Sequence, residues 1–488
     1  MGVITGLEPA KVFEYFEEIC GIPHGSTDTK RISDHIAEFA RSLNLECIQD
    51  ENNNLIIRKP GSEGYEKAPM VMLQGHLDMV CEKEEGVDFD FKTEGLKLKL
   101  ENGIISAEGT TLGGDDGIAV AYCMALLASK DIPHPPLEVI LTSDEEIGML
   151  GAAAMDMSQL RSKILINIDS EEEGILLAGC AGGVLAKATL PIKRKFKAGI
   201  PMQLKIEGLL GGHSGNEIDK GRANADKLLG RILFMASKET DFNLISVSGG
   251  TKDNAIPRSA IAELTVAGEM EMKKLTALTD IFTQMVSREY ELNDPDIRVS
   301  IKEITDTSYA DPMDDESTRK VITMLTCLPN GIEKMSFSLE GLVETSLNLG
   351  ILEMSERDCG FSFLVRSSVE SEKEELVDRI QCLTGMLGGS VELSGNYPGW
   401  DFKSESKLRD LFVSVFEELY GHKPEVEAIH AGLECGLFAG GVEGLDVISL
   451  GPDMKDIHTP SESMDTQSVK RTWDYLLAVL KRIDSSFL

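Results

Sequence analysis

The stretch PMVMLQGHLDMV, residues 69–80, starts as an apolar run and turns polar at its end. Side chains alternate across a strand with period two, so His76 and Asp78 share one face of an extended segment. One ring nitrogen of His76 can bind a metal; Asp78 can fix the other nitrogen or join the metal shell itself. A three-residue pattern alone reads as readily as an ordinary polar strand end, so its meaning depends on what recurs elsewhere. Apolar runs of the same kind stand at 137–142 (LEVILT), 163–168 (KILINI) and 446–450 (DVISL). Helices are expected between them, at 9–20, 27–43, 117–130 and 403–420, with a short strand at 54–58. The 117–130 helix is apolar on both sides, Ile118, Ala121 and Ala125 on one and Val120, Met124 and Leu127 on the other, which predicts burial. Near-continuous Val/Ile/Leu strands separated by helices give an α/β sheet covered on both faces.

The pattern changes after Gly183. Between about 188 and 399, β-runs with polar alternation (QLKIEGLL, AIAELTVAG, IRVSIKEI, GFSFLVRSS, SVELSG) mix with amphipathic helices at 222–237, 269–288 and 370–387. After NYPGW the earlier style returns. The expected organisation is a discontinuous domain, 1–187 with 400–488, interrupted by an α+β module over 188–399, which suits a chain of 488 residues. No internal repeat is visible.

Lys and Arg number 48 against 82 Asp and Glu, a formal charge of −34. Such a surface repels phosphate backbones and anionic membranes, so neither nucleic acid nor membrane is an expected partner. No apolar run approaches the roughly 18–20 residues of a membrane span. The opening residues carry neither the basic segment nor the apolar core of a secretory signal. Nine scattered cysteines without a C-x-x-C pair are cytosolic usage, so a cytoplasmic location is expected.

Four further clusters carry chemistry. Gly113-Gly114-Asp115-Asp116-Gly117 places two acids at a helix start, where capping is the plain alternative to metal binding. Asp144-Glu145-Glu146 follows the 137–142 strand, and Asp169 ends KILINID. The SEEEG after it reads as a solvated turn, and His458 lies in the loop SLGPDMKDIHTP. Singly, each has an ordinary reading as a cap, a solvated run or a surface residue. Jointly, His76, Asp78, Glu145, Glu146, Asp169 and His458 all fall at or beyond the carboxyl ends of apolar strands, the edge where open α/β sheets bind ligands. Carboxylates mixed with imidazoles suit Zn²⁺, Co²⁺ or Mn²⁺, and the donor count suits two ions bridged by a carboxylate, roughly 3.5–4 Å apart. Such a pair lowers the pKa of a shared water, and a neighbouring carboxylate that is not a ligand can act as its general base. Metal-assisted hydrolysis is the reaction class this predicts.

GHLDMV (75–80), GTTLGGDDGIAVA (109–121), LTSDEEIGMLGA (141–152), LINIDSEEEG (165–174), CAGG (180–183), GGHSGNEI (211–218), DNAIPR (253–258), HAGLECG (430–436) and GPDMKDIHTP (451–460) occur in this order. Together they closely resemble the dipeptidase branch, of the aminoacyl-histidine dipeptidase type, of the di-zinc peptidase family that also contains peptidase T and the aminoacylases. The resemblance covers nearly the whole chain. It implies a zinc-peptidase-like mixed sheet flanked by helices, with the inserted module as a lid and dimerisation domain, hence a homodimer. It implies two divalent ions, zinc first, with cobalt or manganese also fitting. His76 and Asp169 would ligate one ion, Glu146 and His458 the other, and Asp115 would bridge them, with a cis peptide between Asp115 and Asp116. Asp78 would orient His76, and Glu145 would be the general base. His213 would stabilise the oxyanion, while Asn254 and Arg366 would hold the terminal carboxylate of a dipeptide. From pattern alone Arg366 reads equally as a strand-end surface residue. His430 and Gly432–Gly436 would line the substrate's other side, with Glu434 structural; His24, His35, His134 and His422 are expected to be structural or surface residues.

The activity so implied is hydrolysis of unblocked dipeptides, Xaa-His and others. Two alternatives remain: a related amidohydrolase of the aminoacylase, tripeptidase or desuccinylase type, and a binding protein that kept the fold without the chemistry.

Overall fold

The computed structural model describes residues 2–305 and 311–487. The chain forms two compact units: one comprises residues 1–180, 400–428 and 433–488, the other 181–399 and 429–432. The first boundary precedes the expected residue 187 because the strand Gly182–Pro191 pairs wholly within the second unit, with Asp358–Ser367 on one side and Ser390–Tyr397 on the other.

The first unit is built on an eight-stranded sheet in the order Glu46–Gln49, Leu55–Lys59, Leu137–Thr142, Val71–His76, Ile164–Asn167, Asp446–Ser449, Ile175–Cys180, Glu425–Ile429. The four central strands, Leu137–Thr142 to Asp446–Ser449, are parallel, and they are the apolar runs expected from the sequence. Antiparallel neighbours extend the sheet on both sides, so it is mixed. The helix Gly114–Ala128 lies buried along its length. Tyr122 stacks on Trp473, ring centroids 5.5 Å apart, and its hydroxyl donates to the Val469 carbonyl at 2.7 Å. Regular helical geometry begins only at Gly117, because Asp115 (φ −80°, ψ 104°) and Asp116 (φ −118°, ψ 29°) depart from it. The peptide between these two residues is cis. A four-stranded sheet of short strands, Met454–Lys455, Ser463–Asp465, Ile104–Ala107 and Leu98–Glu101, has no counterpart in the sequence reading, since two to four residues are too few to show a period.

The second unit holds an antiparallel nine-stranded sheet, and an internal repeat that the sequence does not reveal. One half runs Ile200–Glu207, helix Ala225–Glu239, Phe242–Gly249, Ala260–Val266, helix Glu269–Glu289, Arg298–Glu303. The other half begins with Gly182–Pro191 and continues after the first half with helix Asp315–Cys327, Val343–Met354, Asp358–Ser367, helix Glu370–Met386, Ser390–Tyr397. Both are β-α-β-β-α-β units, and the sheet order is fourth-first-third-second in one and second-third-first-fourth in the other. Their second strands meet antiparallel at Gly249 and Leu352, as a local twofold would place them. The repeat escapes a sequence reading because one half is nested inside the other.

Strand and helix approach closely just where the first unit's acidic cluster begins. A Cβ on Gly75 would lie 2.4 Å from Asp116 Oδ2 and 2.7 Å from the Ala119 Cβ. Asp116 uses that oxygen to accept the His76 backbone N–H at 3.1 Å. Gly75→Ala is therefore expected to destabilise the protein by about 1–3 kcal/mol, the usual cost of overpacking, read by chemical denaturation.

Candidate active site

His76 is the last residue of its strand, and the backbone decides which ring nitrogen is free. Its Nδ1–H donates to the Asp78 carbonyl at 3.0 Å, so Nε2 is the nitrogen that faces Asp115 Oδ1, 3.0 Å away, and Asp169 Oδ1, 3.9 Å away. The second Asp115 oxygen meets His458 Nε2 at 3.0 Å, and the same nitrogen lies 2.9 Å from Glu146 Oε1. Two donor groups result, His76–Asp115–Asp169 and Asp115–Glu146–His458, each with its atoms within 4.8 Å of one another. Among the described residues they are the only such groups of three or more, and they share Asp115.

The carboxylate of Asp78 faces the His76 ring, with Oδ1 3.5 Å from Nδ1, and its two oxygens also accept the Glu145 N–H at 2.9 Å, the Glu146 N–H at 3.3 Å and the Ser26 hydroxyl at 2.9 Å. Asp78 thus holds the His76 ring through its backbone carbonyl and the Glu145–Glu146 turn through its side chain. Asp144, just before that turn, sits at a left-handed φ of 53° and accepts the Thr27 N–H at 2.6 Å. His458 is also left-handed, φ 61°, a conformation a non-glycine residue holds only where its surroundings impose it.

The electrostatics are those of a pocket short of positive charge. Burial raises the Glu145 carboxyl to about 7, and the charges of Glu146, Asp115 and Asp78 add to it against the pull of His76. Burial likewise drives Asp169 well above the usual carboxylate range. His458 is pulled up to about 10 by its bonds to Asp115 and Glu146. Burial alone would lower His76, but Asp115, Asp78 and Asp169 outweigh it and raise the ring well above its ordinary value. Burial opposes the Asp115 charge too, and His458 and His76 overcome that and hold its carboxyl low. Divalent cations supply the charge such a donor set lacks, and the mixture of imidazole and carboxylate fits them.

Two acids missed in the sequence reading belong here. Glu462 is 2% exposed, and its oxygens accept the backbone N–H groups of Leu112 (2.8 Å), Gly113 (3.1 Å), Gly114 (2.8 Å) and Asp115 (3.4 Å). It therefore sets the loop that presents Asp115, from some 350 residues away in the chain. The expected solvated turn SEEEG is not one throughout. Burial raises Glu171 to about 7, with Asp115 adding and His458 opposing, while Glu173 makes a two-point pair with Arg471 at 2.7 and 2.6 Å. Beneath the site, Glu434 is wholly buried and accepts Gln74 Nε2 at 2.5 Å and the Thr142 hydroxyl at 2.6 Å. Gln74 Oε1 accepts Asn167 Nδ2, and Asn167 Oδ1 accepts the Ser449 hydroxyl, both at 2.5 Å, linking the strands below the donors. His24 and His134 are buried on backbone carbonyls.

The second unit gathers His213, Asn254 and Arg366. His213 Nδ1 accepts the N–H groups of Gly215 (3.2 Å) and Asn216 (3.1 Å), so a neutral ring carries its proton on Nε2. Burial and the nearby Arg366 charge lower its pKa and keep it neutral. Ser214 N–H donates to the Asn254 carbonyl at 2.9 Å, and the Asn254 side chain is exposed. Arg366 is 6% exposed, which removes the strand-end surface reading. Its Nη1 donates to the Tyr397 hydroxyl at 3.2 Å, and among the described residues its Nε meets no acceptor. His430, held by the Ser346 hydroxyl at 2.7 Å, is lowered to about 3 by burial and by Arg366.

Because Glu462 anchors the loop that carries Asp115, Glu462→Ala is expected to weaken metal affinity about 10–100-fold, the usual effect of losing a group that orients a ligand. Competition against a chromogenic chelator checks this.

Residues 72–482 match the model of peptidase family M20/M25/M40. Over 485 residues the chain is 36% identical to the cytosol non-specific dipeptidase of Escherichia coli (strain K12), with 99% of each chain covered. The solved structure of aminoacylhistidine dipeptidase from Vibrio alginolyticus superposes with a TM-score of 0.92 at 37% identity, covering 98% of both chains. That of aminopeptidase PepT from Bacillus cereus, at 0.56 and 16% identity, shares the fold. No described helix is long and apolar enough to cross a membrane. With a family match across most of its length and a full-length relative above one-third identity, the chain belongs to peptidase family M20/M25/M40.

Proposed function

We propose that this protein is a metal-dependent dipeptidase that hydrolyses unblocked L-dipeptides, Xaa-His among them. The observation that carries the reading is the pair of donor groups sharing Asp115, in a chain that aligns end to end with a cytosol non-specific dipeptidase. His76 and Asp169 would hold one ion and Glu146 and His458 the other, with Asp115 shared between them; zinc would fit these donors first, with cobalt and manganese as alternatives. The ions, when bound, acidify a shared water and polarise the scissile carbonyl.

Every other part of the reaction belongs to side chains. Glu145 takes a proton from the attacking water as its oxygen bonds to the carbonyl carbon, then delivers that proton to the amine nitrogen as the C–N bond breaks. A buried carboxylate next to the donor groups, and not one of them, suits both tasks. Asp78 fixes the His76 ring through its carbonyl and the Glu145–Glu146 turn through its carboxylate. His213, neutral with its proton on Nε2, donates to the developing oxyanion. Arg366 and Asn254 take the substrate's C-terminal carboxylate; a buried guanidinium with a free Nε–H suits a bidentate partner. The acidic surface and cysteine usage support a cytoplasmic enzyme, and we place a homodimer contact on the second unit.

Release of free amino acids from dipeptides, tripeptides and N-acetyl amino acids, with chelator or with added Zn²⁺, Mn²⁺ or Co²⁺, tests the reading. Chelator-sensitive cleavage confined to unblocked dipeptides is expected; cleavage of the acylated compounds would overturn the substrate, and silence with every metal would overturn the enzyme. Glu145→Ala should lower kcat by about 10²–10⁴-fold, the range of general-base catalysis, with metal content retained. His76→Ala should lower metal content itself, as read by elemental analysis.

A further inference from the structure

Asn348 sits in the middle of the strand Val343–Met354 and is 1% exposed. Its Nδ2 donates to the Asp253 carbonyl at 3.1 Å and to the Ala255 carbonyl at 2.9 Å, the two carbonyls that flank Asn254. Only the NH₂ end of an amide can face two carbonyl oxygens, so chemistry settles which way this side chain points. The carbonyl between them, that of Asn254, accepts the Ser214 N–H at 2.9 Å. Three successive carbonyls are thereby engaged. Ala255 is also the register partner of His213 in the two-residue ladder of Gly212–His213 with Ala255–Ile256. A displacement of backbone 253–255 therefore moves both His213 and Asn254.

The amide of Asn348 is itself held. Its Oδ1 accepts Asn224 Nδ2 at 3.2 Å. Asn224 caps the helix Ala225–Glu239, its Oδ1 accepting the N–H groups of Asp226 (3.0 Å) and Lys227 (3.2 Å). Asn224 Nδ2 also reaches the Leu349 carbonyl at 2.9 Å and Asn330 Oδ1 at 3.2 Å, and Asn330 Oδ1 accepts the Leu349 N–H at 2.8 Å. The Asn254 hairpin lies directly on the Asn348 strand: a Cβ on Gly350 would come 2.4 Å from the Asp253 carbonyl oxygen, and one on Gly250 would come 1.9 Å from that of Gly350. Asn348 belongs to one half of the internal repeat, and Asn224, His213 and Asn254 to the other. The amide cluster is a clamp across the local twofold, placed against the carbonyls either side of Asn254 and the ladder that carries His213.

We propose that Asn348 is a positioning residue that sets His213 and Asn254 for the reaction; the proposal rests on the assignment of those two residues to the substrate. An apolar side chain of similar size at 348 would keep the packing and lose both donors, so the role needs an amide rather than bulk.

The test compares Asn348→Ala, His213→Ala and the double variant with the wild-type holoenzyme, on a dipeptide substrate, with kcat and KM measured separately. Misplacement of catalytic groups predicts that Asn348→Ala lowers kcat/KM by about 10–100-fold, with bound metal unchanged. Added to His213→Ala, it should cost less than it does in the wild type, because the share that acts through the His213 ring is already lost and only the share through Asn254 remains. Hydrogen exchange at the Ser214 amide should quicken in Asn348→Ala. A variant with lower thermal stability but near wild-type kcat/KM, or losses that multiply in the double variant, would overturn the proposal. Full activity in His213→Ala would instead overturn the assignment of His213, and Ser214 exchange would then decide the clamp alone, faster upholding it and unchanged refuting it. If Asn348→Ala does not fold, Asn348→Ser, which keeps one donor, is put through the same comparisons against the same outcomes.

Discussion

The Asp115 carboxylate meets His76 with one oxygen and His458 with the other, each at 3.0 Å, where burial penalises every charge. Around that point the chain assembles Asp169, Glu146, Glu145 and Glu171; burial, with neighbouring negative charge adding to it, raises the carboxyls of Asp169, Glu145 and Glu171, and the carboxylates beside them raise the imidazoles of His76 and His458. Such a cluster is stable only if cations compensate it or protons neutralise it. The surrounding structure is arranged so that the donors stay in place: parallel strands end together, Glu462 gathers four amides of the Asp115 loop, and Asp78 ties the strand of His76 to the turn of Glu145. Even the polar chain Glu434–Gln74–Asn167–Ser449 lies under this edge, where it couples neighbouring strands to one another.

The strands that carry this site are legible in the sequence. Central strands announce themselves because both faces are buried, so LEVILT and KILINI are continuous runs, and the polar residue that ends each run marks the sheet's carboxyl edge. What stayed hidden acts over distance or below the length of a period. Glu462 looks like any loop acid until the 112–115 amides are folded against it. Glu171 looks solvated within SEEEG because its neighbour Glu172 is exposed; only the fold turns one acid of the three toward Asp115 and His458. Asp78 faces the His76 ring with its carboxylate at 3.5 Å, and its backbone carbonyl, which no sequence pattern singles out, takes the Nδ1–H at 3.0 Å.

The second unit shows the same division. Five of its strands and three of its helices follow from alternation and amphipathic spacing, while the strands Gly182–Pro191, Phe242–Gly249, Gly331–Met335 and Val343–Met354, the helix Asp315–Cys327 and the repeat have no counterpart in the sequence reading. Two β-α-β-β-α-β halves, one nested in the other, build a single sheet whose joint lies between Gly249 and Leu352. Near that joint the chain keeps His213 and His430 neutral beside a buried arginine, a setting that favours an anion without protonating the histidines. Neutrality matters for His213: two backbone amides occupy Nδ1, and a single directed N–H remains at Nε2.

Anomalous diffraction at the zinc edge, from crystals of zinc-loaded protein, tests the central claim most directly. The account predicts two peaks per chain about 3.5–4 Å apart, one bounded by His76, Asp115 and Asp169 and the other by Asp115, Glu146 and His458. A single peak, or a second one away from Asp115, would contradict it.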